Sequence, residues 1–211
     1  MENLNTFILE RLKITSKTYN KQFSCKPKTK RELKNILNER VLHENLNANL
    51  NDIDVSEITD MSYLFNNIYP HNIDISEWDV SNVENMEAMF WACPDFNADL
   101  SNWNVSKVKN MVNMFRDCHR FTGKGLENWN VKNVTNMNAM FYKCVNFNAN
   151  LGDWNVESVK NIENMFSHCK KMNGDWLENW NPKSLKGYHQ NVFFDTPVVR
   201  NKPSWYKRYY D

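Results

Sequence analysis

One phrase recurs four times along the chain: NVENMEAMFWAC from residue 82, KVKNMVNMFRDC from 107, NVTNMNAMFYKC from 133 and SVKNIENMFSHC from 158. Tryptophans mark the same period. Trp78, Trp103, Trp129, Trp154 and Trp180 lie 25 or 26 residues apart, and Ile53 holds the equivalent place 25 residues before Trp78. Apolar residues follow each anchor two, five, eight and eleven places on, as Val105, Val108, Met111 and Met114 follow Trp103, with Phe115 next. Self-similarity at this period marks a solenoid, in which one unit cannot bury its own apolar side and stacked neighbours share a continuous core. An apolar residue at every third place fits tight turns or a triangular coil better than a long α-helix. A second apolar pulse, as in FNADLSNW, sets Leu100, Leu126 and Leu151 three places before the next Trp. It reads as a short strand that pairs with its copy in the following unit.

The outer copies are worn, as the end units of a solenoid must be to shield the core. NANLND at residues 47–52 echoes NANLGD at 148–153, and the segment before it, KTKRELKNILNERV, reads as a helix with Thr29 as its cap and Glu32 three places on as a capping box. At the other end Pro182, Leu185 and Tyr188 keep the phase, after which the pattern fades. The expected organisation is an amphipathic helix and basic linker over 1–27, a capping unit over 28–52, the repeats over 53–195 and a C-terminal cap or tail over 196–211. Leu4, Phe7, Ile8 and Leu12 form the apolar face of the front helix, which is expected to cap the first coil, with self-association or contact with a partner as the alternatives.

The composition, 41% hydrophobic and 24% charged, excludes a disordered chain. About one residue in six is Asn, which suits a fold made of tight turns. The net charge is +6 over residues 1–40, −9 over 41–180 and +4 over 181–211, and an acidic middle argues against nucleic acid as a partner. No apolar run reaches the length of a membrane span. No secretory signal or anchor is visible, so the sequence alone points to the cytoplasm.

The unit WDVSNVENMEAMFWACPDFNADLSNW resembles the repeat of the BspA-like leucine-rich-repeat surface proteins. Those repeats run close to W-D-V-S-N-V-x-x-M-x-x-M-F, then a small residue or Cys, then F-N-x-D-L-S-x-W. The likeness covers about residues 28 to 195, with KPKTKRELKNIL similar to the family's opening segment and PSWYK, Pro203 to Lys207, similar to its close. It implies an α/β fold: a leucine-rich-repeat-like solenoid of about six 25–26-residue coils, with short parallel strands and short helical turns, capped by an N-terminal helical segment. Members include cell-surface proteins that bind host or matrix proteins and other microbes, which implies a surface location and adhesion. The family carries no catalytic residues.

Cys93, Cys118, Cys144 and Cys169 share one repeat position. Stacked at about 5 Å per unit, they form a row, whereas zinc needs every sulfur about 2.3 Å from one ion. The row reads as a ladder of small buried side chains. His119 and His168 beside two of these cysteines read as surface histidines. Asp60, Asn85, Asn110, Asn136 and Asn161 share another position and read as a buried polar ladder that satisfies backbone groups at a turn, with mostly neutral amides ill suited to calcium. No metal, cofactor or catalytic group is expected. The informative positions are the ones that vary inside the fixed frame. Directly after Met-Phe or Leu-Phe come Asn66, Trp91, Arg116, Tyr142 and Ser167, and one place further Asn67, Ala92, Asp117, Lys143 and His168. Trp, Tyr and Arg are favoured at binding hot spots, so Trp91, Arg116, Asp117, Tyr142, Lys143 and His168 are the expected protein-binding residues. The functional expectation is a non-enzymatic protein-interaction scaffold, with a structural or assembly component of a larger particle or envelope as the alternative.

Overall fold

The structure is a computed structural model that describes residues 22–43, 48–185, 187 and 189–207. The front helix expected from Leu4, Phe7, Ile8 and Leu12 lies outside the described residues, as do Tyr188 and most of the basic linker. Each unit is a succession of tight turns whose ends are the apolar residues of the repeat. In the second unit Trp78 N donates to Ile75 O, Val83 N to Val80 O, Met89 N to Met86 O, Cys93 N to Phe90 O and Phe96 N to Cys93 O, at 2.9–3.3 Å. The three-residue apolar period is therefore the period of the turns. Each unit repeats a pair of left-handed residues four places apart, at Ala88 and Ala92, Asn113 and Asp117, Ala139 and Lys143, and Asn164 and His168.

Alternate residues turn their N–H groups toward the following unit. Met86, Ala88, Phe90 and Ala92 donate to the carbonyls of Asn110, Val112, Met114 and Arg116 at 2.8–3.0 Å, and the third and fourth units repeat the pattern. This bonding overturns the expected fold class. Among the described residues, helix is confined to α1 (Lys30–His43), α2 (Ser204–Lys207) and three 3₁₀ turns, and most of the chain is turn and coil with no sheet. Extended pairing is reduced to isolated parallel bridges, of which Asp60, Asn85, Asn110, Asn136 and Asn161 form one continuous line. A leucine-rich-repeat-like solenoid with short parallel strands is not what forms. The reason lies in the turns: a chain that reverses every third residue and passes twice through the left-handed region cannot keep successive residues extended. The second apolar pulse is likewise not a strand. Leu126 opens the 3₁₀ turn Leu126–Asn128, while Leu100 and Leu151 accept the N–H of Trp103 and Trp154 in single turns. Gly125, at φ 89°, permits that turn, because a Cβ there would lie 2.3 Å from Ser101 N.

The core is a set of columns, each made of one repeat position. Phe65, Phe90, Phe115, Phe141, Phe166 and Phe193 stack at 5.1–6.2 Å between ring centroids, all fully buried or nearly so. A second column runs Trp78, Trp103, Trp129, Trp154, Trp180 and Trp205, and each indole N–H donates to a carbonyl of the unit before it. Trp205 continues the column beyond the point where the sequence pattern fades. At the opposite end α1 lays Leu33, Leu37 and Val41, one per helical turn, against the first unit. Thr29 Oγ1 accepts the N–H of Glu32, and Glu32 Oε2 accepts the N–H of Lys28, a reciprocal cap of the kind the sequence indicated.

Candidate protein-binding edge

The edge begins where each buried Phe ends. In every unit but that of Ser167 the residue after that Phe leaves the core, and in all of them the next residue adopts the left-handed conformation. The N–H groups of Ala92, Asp117, Lys143 and His168 donate to the carbonyls of Arg116, Tyr142, Ser167 and Phe194. These bonds set Trp91, Arg116, Tyr142, Ser167 and Phe194 in one register along the molecule.

Five of the six expected residues form a connected run. The Arg116 guanidinium carbon lies 4.6 Å from the centroid of the Tyr142 ring, and the Lys143 ammonium lies 5.4 Å from it. Arg116 also donates to Asp117 and to Asn113 Oδ1, each at 3.4 Å, while Lys143 approaches Asp117 at 4.0 Å. Tyr142 meets His168 edge-on at 5.4 Å, and His168 Nδ1 donates to Asp195 Oδ2 at 2.7 Å. Lys170 pairs with the other oxygen of Asp195. Lys170 and His168 together hold the Asp195 carboxyl below the usual carboxylate range. The sixth residue, Trp91, stands apart. It is 36% exposed and packs edge-on against Tyr63, whose hydroxyl donates to Glu87.

Ser167 occupies the same repeat position but is buried, so the varying positions do not all reach the surface. Tyr63, Phe194 and Asp195 belong to the edge and were not singled out in the sequence. Phe194 is 56% exposed and meets His168 edge-on at 5.3 Å. The signal for it was NVFFD at residues 191–195, the counterpart of NMFSH at 164–168, displaced because this step is 27 residues long.

The other repeated polar positions are structural. Cys118, Cys144 and Cys169 are buried thiols that donate to the carbonyls of Phe90, Phe115 and Phe141 at 2.9–3.1 Å. Burial pushes the thiol of Cys93 up to about 12 and raises the other three as well. A buried thiol held protonated in this way is a poor nucleophile. The amide column is half-buried rather than buried. The side-chain oxygens of Asn85, Asn110, Asn136 and Asn161 each accept the N–H two residues on, which fixes the turn.

No helix among the described residues is long and apolar enough to cross a membrane. Neither the curated proteins nor the solved structures compared with the chain gave a match. A family model does match, twice, over residues 31–125 and 115–204, and so spans most of the chain. The chain therefore belongs to the family described as Mycoplasma protein of unknown function, DUF285.

Proposed function

We propose that the protein is a non-enzymatic interaction scaffold that binds a protein partner through the edge carrying Trp91, Arg116, Asp117, Tyr142, Lys143 and His168. The observation behind this reading is the contrast between columns and edge. Core positions repeat one residue type from unit to unit, whereas the edge presents a different residue at each step on a backbone that does not change. Exposed aromatic and guanidinium groups held by a rigid frame are what a binding hot spot needs, because little freedom is lost on docking. The double family match is in keeping with a BspA-like repeat protein, and that kinship favours an adhesive role at a cell surface.

The test is capture of partners by the immobilised protein, in parallel with the triple variant Trp91→Ala/Arg116→Ala/Tyr142→Ala. The expected result is a partner retained by the wild type and lost by the variant, with the same thermal melt for both. Recovery of the same partner by both proteins would contradict the assignment of the edge.

A further inference from the structure

We infer that the partner presents to this edge a short, extended, acidic polypeptide segment with an apolar residue at each end. The inference rests on the scaffold reading above and adds the chemistry of what is bound. Three cations, Arg116, Lys143 and Lys170, lie within three successive units, against the carboxylates Asp117 and Asp195, with His168 between them. The three cations lie within residues 41–180, a stretch of chain whose net charge is −9. Each of the two carboxylates is paired with the cations beside it, and the cation side chains remain a third to a half exposed. The surface therefore offers donors. Trp91 Nε1 and the Tyr142 hydroxyl add to them, because neither donates to an acceptor among the described residues, unlike the six indoles of the core column.

The spacing sets the length. Successive Phe rings in the adjoining core are 5.5, 5.7, 5.6 and 6.2 Å apart, so the cations cover about 11 Å and the span from Trp91 to Phe194 is about 23 Å. An extended chain rises about 3.3 Å per residue, which gives about seven residues. The middle three or four would meet Arg116, Lys143 and Lys170, and the ends would meet the exposed rings of Trp91 and Phe194. A long polyanion such as a nucleic acid or a sulfated polysaccharide fits poorly, because it would run past the cations over acidic surface and has no apolar ends to fill.

The probe is a fluorescein-labelled heptapeptide of five glutamates between two leucines, followed by fluorescence anisotropy against the full chain. A counterpart with glutamine for glutamate and a labelled heparin serve as controls. The glutamate peptide should bind, and the glutamine peptide should bind at least tenfold more weakly. Raising salt from about 50 to about 300 mM should weaken binding about tenfold, since exposed charges are screened within a Debye length. The variant Arg116→Gln/Lys143→Gln/Lys170→Gln should lose the peptide while melting as the wild type does. Equal binding of the two peptides, no binding of either, or binding of heparin alone would overturn the inference. A captured partner that is lost by the alanine variant but kept by the glutamine variant would overturn it while leaving the scaffold reading in place. A partner kept by both variants would overturn the two together.

Discussion

Phe141 touches Phe115 and Phe166, its own equivalents in the neighbouring units, as well as Phe147 and Trp154. Each buried ring thus carries the apolar contacts of three units, and its loss leaves a void that a rigid hydrogen-bonded frame cannot close. Phe141→Ala is expected to cost about 3–5 kcal/mol in urea denaturation; a cost below about 1 kcal/mol would mean that the column can collapse around the gap. The thiols make a second prediction. Unfolded cysteine ionises near pH 8.5, whereas Cys93 in the fold is raised to about 12 and its equivalents are raised too. Above the unfolded value the native state holds more protons than the unfolded one, so stability falls with rising pH. The contribution is complete below about pH 8 and is lost progressively above about pH 9. Melting temperature should therefore drop through that range, and less steeply in Cys144→Ala. At the acid end the sign reverses. Asp99, held at about 2 by Lys124 and Ser101, contributes stability above the ordinary carboxylate range that is lost as pH falls toward 2.

Helix α1 shields the first unit through Leu33, Leu37 and Val41, and its own start depends on the Thr29 and Glu32 cap. Thr29→Ala should lower stability by about 1 kcal/mol, with the added hydrogen exchange concentrated in α1 and the first unit, because stability in a repeat protein passes between nearest neighbours. Exchange spread evenly to Trp180 would contradict that. This cap was legible in the sequence, as were the register of the repeat, the burial of its Trp, Met, Phe and Cys residues, and five neighbours of the edge. Each of these depends only on period and residue type. The backbone between them was not legible as strand or coil. An apolar residue at every third place is compatible with several compact conformations. The left-handed position that decides the matter carries Asn113, Asn164 and Asn191 in three units but Tyr63, Ala88 and Ala139 in the other three, where nothing advertises a positive φ as glycine or asparagine does. The 27-residue final step hid Phe194, and the burial of Ser167 follows from local packing that its repeat position does not reveal.

Across the molecule, bonds pass between units in both directions. The N–H groups of Met111, Asn113, Phe115 and Asp117 point forward to the fourth unit, while the N–H of Lys109 points back to Glu84 O. Together with the aromatic columns they make the interior one continuous frame from α1 to Trp205, and the edge is the part of the surface where residue identity is free to change without disturbing it. Frame and edge should therefore separate under mutation. The measurement that decides this is a paired one, with thermal melting and affinity for the captured partner recorded on the same samples of the wild type, Phe141→Ala and Trp91→Ala/Arg116→Ala/Tyr142→Ala. The edge variant should keep its melting temperature and lose at least tenfold in affinity, a change of about 1.4 kcal/mol, while Phe141→Ala should melt well below the wild type. An edge variant that binds as the wild type does, or that loses binding only because it melts early, would contradict the assignment of binding to this edge.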